Sequence, residues 1–298
     1  MIWFFLFSAL TGAVLWSLVV LRTAWTVTHP NRQWRPKGWE PSPLKPDKVT
    51  FSSADGTQLH GEIKIHPKPR GTVLCVHGLG VNQSALEWRA YRLYKRGFSI
   101  LLFDLRACGR SAGSVTTGGV REAEDIVAAL EMCLQHRDLS SSPIVALADS
   151  MGATATLNVA ASRQEIKAVF SDAAFASMTT AIRWGFTKHT GLPAWPFQGP
   201  VVRIAEKLSG ERITDASALE NIGDIAPRHI YLAHGLCDSV VPPLDAQLLF
   251  DRAGKPKHLW LVPDAGHVVG AYVDPEDYAD RVANFFLAAT SGVAESLS

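Results

Sequence analysis

The chain is 298 residues long, with a formal net charge of +1 and 19% charged side chains, which removes any electrostatic reason to expect a nucleic-acid partner. Its length holds one α/β domain of about 250 residues plus an appendage. The 10 histidines and 4 cysteines show no zinc-like spacing, and no glycine-rich loop ending in lysine is present, so no metal and no cofactor is expected.

In chain order, the appendage comes first. Met1 to Leu21 carries no charged side chain and includes three Phe and two Trp; as a helix it would be about 31 Å long, close to the hydrocarbon thickness of a bilayer. A cleaved signal peptide fits less well, because no Lys or Arg precedes the run, the run is too long, and no small-x-small site follows. Residues 1–21 are therefore read as a single-pass membrane anchor. Arg22, Arg32, Arg35 and Lys37 follow it, so the positive-inside rule places the rest of the chain in the cytoplasm, with the basic cluster at anionic lipid headgroups. Cys75, Cys108, Cys133 and Cys237 form no paired framework, which fits reduced thiols in that compartment.

A linker over 22–48, polar and Pro-punctuated from about His29, leads into one domain over 49–290. There strand-like runs near 49–53, 59–65, 72–76, 99–103, 144–148, 168–171, 230–233 and 259–262 alternate with helical ones, the pattern of a mostly parallel sheet flanked by helices on both faces. In the helix after Gly119, Ile126, Leu130 and Leu134 recur every four residues and supply one apolar face; Cys133 beside them is a packing residue. Between Asp172 and Pro227 the alternation breaks. That stretch contains Trp184, Phe186, Trp195 and Phe197, and then Val201, Ile204, Ala205 and Leu208 at helical spacing. Residues 291–298 read as a tail.

The chemistry concentrates where apolar strands end. Ala148-Asp149-Ser150-Met151-Gly152 joins a strand-like run to a small-residue helical run, which projects a serine hydroxyl from a sharp turn, the geometry of a nucleophile elbow. Taken alone, Ser150 would read as a helix N-cap. Two further strand ends change that: Tyr231-Leu232-Ala233-His234-Gly235-Leu236-Cys237-Asp238 delivers an acid, and Leu259 to His267 delivers a histidine. A serine hydroxyl needs an imidazole to take its proton, and a carboxylate to hold that imidazole in one tautomer. Ser150, His267 and Asp238 are expected in these roles. The backbone amides of Leu79, in the turn His77-Gly78-Leu79-Gly80, and of Met151 are expected to receive the charge on the substrate oxygen.

These segments, with Asp104-Leu105-Arg106-Ala107-Cys108-Gly109-Arg110-Ser111, occur in the order found in the α/β-hydrolase superfamily, and the chain resembles its membrane-associated serine hydrolases with a short helical cap from about Val49 to Phe286. The resemblance implies that Asp104 to Ser111 shapes a loop beside the site, with Arg106 structural, and that the interruption is a cap inserted at about 174–226. Beneath it, Trp184, Phe186, Trp195 and Phe197 would line an acyl pocket or pack the cap to the core. Two departures stand out: Ala148 occupies the elbow position usually held by Gly, and Asp149 beside the nucleophile either acts on the base electrostatically or faces solvent.

For the acid, Asp172 and Asp264 compete with Asp238, whose loop continues Val240-Val241-Pro242. Among the histidines, His77 and His234 also sit at strand ends and are read as structural. The expected activity is hydrolysis of a carboxylic ester or thioester of a lipid-like or acyl small molecule through an acyl-enzyme. An amidase, a small-peptide hydrolase or an acyltransferase would use the same machinery, and a catalytically dead membrane-bound binding protein is the rival from another class.

Overall fold

Eight strands form one sheet, β1 (Asp47–Ser52), β2 (Gln58–Lys64), β3 (Gly71–Val76), β4 (Phe98–Phe103), β5 (Ile144–Asp149), β6 (Ile166–Asp172), β7 (His229–Gly235) and β8 (Lys257–Val262), in the order β1-β2-β4-β3-β5-β6-β7-β8 in a computed structural model. It describes residues 1–33, 35 and 40–291, the side chains of Ile2 and Phe5 excepted; Lys37 and residues 292–298 lie outside the described residues. β1 and β2 pair antiparallel with their neighbours, while β3 to β8 run parallel. The reason is composition: β3, β4 and β5 are runs in which every residue is buried, and such strands need helices on both faces. This is the α/β-hydrolase fold.

On one face lie α2 (Glu87–Lys95) and α8 (Pro275–Ser291), packed through Leu93, Tyr278, Val282, Phe285 and Phe286. On the other lie α3 (Glu122–Gln135) and α4 (Ser150–Ser162), packed through Ile126, Leu130, Leu157 and Ala160. In α3 the buried place expected of Leu134 belongs to Cys133, and Leu134 is only half-buried. A spacing of four drifts off the buried stripe because the helix turns every 3.6 residues. Strand β3 stands between β4 and β5, so the chain reverses its direction of progress along the sheet there, and the crevice beyond the strand ends at such a point is where ligands bind in open α/β sheets.

The cap contains α5 (Met178–Thr190) and α6 (Gln198–Ser209), followed by short turns at Ile213–Asp215 and Ile222–Ile225. At the front, α1 spans Ile2–Thr28, seven residues beyond Leu21. Arg22 does not stop it, since its side chain is exposed; the helix ends at His29, which precedes Pro30 and so is disfavoured in helical geometry. The last three turns of α1 pack along α6, burying Val20, Ala24 and Thr28. Residues 22–28 are thus helix rather than linker.

Candidate active site

Ser150 stands at the junction of β5 and α4 with φ +51°, a left-handed conformation that costs a non-glycine residue about 1–2 kcal/mol. The elbow persists because the surroundings force it. A Cβ on Gly152 would lie 2.2 Å from the carbonyl oxygen of His77, so only glycine lets α4 start this close to the turn after β3. Ala148 is fully buried between β3 and β6; its methyl group is core packing and does not obstruct the turn.

His267 lies five residues past β8 and Asp238 three past β7. His267 Nε2 is 2.9 Å from Ser150 Oγ, and its Nδ1 is 2.7 Å from Asp238 Oδ2. A carboxylate only accepts, so Nδ1 carries the proton and Nε2 is left to accept from the serine hydroxyl. The loops meet because the chain leaving β8 rides directly on β7: a Cβ on Gly235 would lie 2.2 Å from the carbonyl oxygens of Ala265 and Gly266, and the Cys237 amide donates to Ala265.

Asp238 is buried and saturated. Its Oδ1 accepts the amides of Val240 at 2.7 Å and Val241 at 2.9 Å, and its Oδ2 receives His267 and also His234 Nε2 at 3.2 Å. Burial alone would raise its pKa, but the hydrogen bonds of His234 and His267 outweigh it and hold the carboxyl well below the usual range. His234, expected as a structural histidine, is buried with its Nε2 against Asp238. His77 is indeed enclosed, with Nδ1 2.8 Å from the Gly78 carbonyl and Nε2 accepting the Leu105 amide.

The two rival carboxylates go elsewhere. Asp264 is exposed. Asp172, at the end of β6, is fully buried and accepts the amides of Val269 at 2.8 Å and Gly270 at 3.1 Å together with the Tyr278 hydroxyl at 3.0 Å. It therefore grips the loop that carries His267 without touching the ring. Burial, with Asp149 beside it in the sheet register, pushes its pKa up to about 6. Asp149 itself does not face solvent: it is buried and bound by Arg89, whose Nη1 donates to Oδ1 at 3.0 Å. Arg89 and Tyr278 carry no motif in the sequence, and only the packing of α2 against α8 brings them under the elbow.

Leu79 is half-buried in the turn after β3, and Met151 is the residue after Ser150 in the first turn of α4, where backbone N–H groups lack intrahelical partners.

Residues 67–210 match the family model described as serine aminopeptidase, S33. The Pyrococcus furiosus esterase Pf2001 superposes with TM-score 0.70 at 25% identity, covering 87% of this chain and 98% of that one; the α/β hydrolase GrgF from Penicillium sp. sh18 does so with TM-score 0.67 at 18% identity, over 83% and 100%. In fold and in these likenesses the chain is similar to the α/β-hydrolase superfamily. In sequence the chain is 28% identical to Escherichia coli K12 YfhR over 85% of this chain and 84% of that one, and 26% identical to Bacillus subtilis YqkD over 80% and 79%.

The Asp104 to Ser111 stretch is a scaffold. Asp104 accepts the amides of Gln83 and Arg110 at 2.9 Å each, while Arg106 is buried against Asp125 and Asp55. In the cap, Trp184 Nε1 donates to the carbonyl of Asp238 at 3.0 Å, so the cap is tied to the acid loop. Phe186 and Phe197 pack on each other with centroids 5.0 Å apart, and Phe197 packs on Trp16 of α1 at 6.2 Å. Trp195 is corrected outright: it is 83% exposed and lines no interior surface. Among the cysteines, Cys75, Cys108 and Cys133 are buried and Cys237 is exposed.

Proposed function

We propose that this α/β hydrolase cleaves a carboxylic ester or thioester through a Ser150 acyl-enzyme. The observation that carries the reading is the continuous hydrogen-bonded line from Ser150 Oγ through His267 to Asp238, at 2.9 and 2.7 Å. His267 Nε2 takes the serine proton as Oγ attacks the carbonyl carbon, and Asp238 stabilises the imidazolium that forms. The amides of Leu79 and Met151 receive the developing oxyanion. His267 then returns the proton to the leaving alcohol or thiol, and a water activated by the same ring releases the acid. No cofactor enters this scheme. The esterase among the structural neighbours and the aromatic cap support an ester of a lipid-like or acyl substrate, with Trp184 and Phe186 as its wall.

A second reading, an amide or small-peptide hydrolase, draws on the family description, serine aminopeptidase; the same residues cleave amides when His267 protonates the leaving amine. The apolar α1, whose one charged side chain is Arg22, with Leu6–Thr28 long and apolar enough to cross a bilayer, supports membrane attachment, and the basic residues that follow residue 21 support a cytoplasmic hydrolase domain. Fluorophosphonate labelling of the purified protein tests the nucleophile: labelling lost in Ser150→Ala is expected, and labelling equal in both rejects the scheme. Rates on p-nitrophenyl esters of increasing chain length, a thioester and an anilide then decide bond type; the fastest turnover on the anilide would favour the second reading.

A further inference from the structure

Both of the reacting side chains hang on disfavoured backbone. Ser150 itself has φ +51°, and Val268, the residue after His267, has φ +65°, a left-handed value that is unfavourable for any L-residue and most of all for a β-branched one. Such conformations persist only where the surroundings force them. Beside the two turns lies one group of four polar side chains: Asp149 at the end of β5, Asp172 at the end of β6, Arg89 of α2 and Tyr278 of α8. Asp149, Asp172 and Tyr278 are buried, and the Arg89 side chain is only 13% exposed.

The group joins the serine turn to the histidine turn. On the serine side, Arg89 Nη1 donates to Asp149 Oδ1 at 3.0 Å and Nη2 donates to Oδ2, and Asp149 is the residue before Ser150. On the histidine side, Asp172 accepts the amides of Val269 at 2.8 Å and Gly270 at 3.1 Å, directly after the strained Val268. The two sides meet at Gly270. A Cβ there would lie 3.1 Å from Arg89 Nη1 and 3.0 Å from Tyr278 Cζ, so the backbone that donates to Asp172 also rests on the guanidinium and on the ring whose hydroxyl donates to Asp172 at 3.0 Å. Burial works against the charge of Arg89, while the carboxylates of Asp149 and Asp172 favour it. A buried ion pair stabilises a fold little more than apolar side chains of the same volume would; what this one supplies is a fixed geometry between two turns.

We propose that Arg89 is a positioning residue for the reaction: through Asp149 on one side, and through Gly270 and Tyr278 on the Asp172 side, it sets the separation of Ser150 Oγ and His267 Nε2. Arg89 acts through the backbone of the two turns and not on the reacting atoms. The inference rests on the Ser150 acyl-enzyme reading above, and it adds a residue from α2 that no motif in the chain marks.

The test uses the purified full chain, with folded protein counted by near-ultraviolet circular dichroism, fluorophosphonate labelling rates, and turnover of a p-nitrophenyl ester. Arg89→Gln is expected to lower both the labelling rate and kcat per folded molecule about 100-fold with KM unchanged, the loss that follows a displacement of about 1 Å. Arg89→Lys keeps the cation without the two-pronged grip and is expected to recover about tenfold of that loss. Adding Asp172→Asn to Arg89→Gln is expected to cost less than about threefold more, because the two belong to one coupled group. A merely structural Arg89 would lower the folded fraction and leave kcat per folded molecule as it was, and that result overturns the proposal. If Arg89→Gln does not fold, Asp149→Asn, which keeps the side-chain volume, decides: a fall in kcat of about tenfold or more is expected, and an unchanged kcat overturns the proposal. Absence of labelling in the unaltered chain overturns the acyl-enzyme reading and this inference with it, whereas labelling that Arg89→Gln leaves at full rate overturns the inference alone.

Discussion

The ends of β6 and β7 each carry a buried aspartate serving the same histidine, and they do it in opposite ways. Asp238, at the end of β7, holds the His267 ring and is surrounded by four N–H donors, two of them imidazoles. Asp172, at the end of β6, holds the His267 loop through Val269 and Gly270 and shares its surroundings with another carboxylate, Asp149. Burial raises both carboxyls; at Asp238 the hydrogen bonds of His234 and His267 reverse it, whereas at Asp172 the charge of Asp149 adds to it and Arg89 with the amides of Val269 and Gly270 offsets it only in part. Residue type and depth therefore do not define the acid of a site; its donors do.

The comparison can be broken by mutation. Ser150→Ala or His267→Ala sets the floor, with kcat expected to fall about 10⁶-fold and the double variant no lower than either single one, because the two act as a unit. Asp238→Asn is expected to cost about 10⁴-fold in kcat by spoiling the tautomer. Asp172→Asn leaves the ring contact intact, and a loss below about 100-fold is expected, since loop misplacement acts indirectly. If Asp172→Asn abolishes turnover and Asp238→Asn is tolerated, the two roles are interchanged.

Thermal unfolding across pH sharpens the same contrast. Asp172 has a folded pKa of about 6, above its ordinary 3.8, so the folded state binds the extra proton and this contribution to stability is lost as pH rises from about 4 through 6. Asp238 is shifted the other way, and its contribution is lost as pH falls below the ordinary carboxylate range. Relative to the unaltered chain, Asp172→Asn should gain in Tm between pH 4 and 7, while Asp238→Asn should narrow the gap at low pH; parallel curves would contradict both. The smallest effect belongs to His234→Gln, which removes one of four donors from Asp238. A loss within about tenfold in kcat/KM is expected from one hydrogen bond of 0.5–1.5 kcal/mol.

Much of the molecule was legible in the chain because it is local. All eight strands were visible, the central ones as buried apolar runs and β1 and β2 as alternating segments, and the elbow and the Asp238 and His267 loops could be placed because each follows a strand. The sequence did not separate Asp172 from Asp238, both being acids after strands; the distinction lies in which backbone amides and imidazoles come near. Arg89 and Tyr278 gave no signal, as they are 189 residues apart and meet only across packed helices, with the guanidinium 5.7 Å from the ring centroid. The Trp16, Val20, Ala24, Thr28 stripe was present at helical spacing, but an apolar segment hides a docking face among its other apolar residues.

By itself the sequence determined the alternation of strands and helices, the mostly parallel sheet, and the three strand ends at which Ser150, Asp238 and His267 emerge, because hydrophobic period and turn chemistry act within a few residues. Only the tertiary structure decided which carboxylate reaches His267, that Asp149 is tied to Arg89, and that the last turns of the apolar N-terminal helix pack along α6. Those outcomes depend on distances between segments far apart along the chain, and they are settled by packing, where one close approach such as Gly235 against Ala265 excludes every other arrangement.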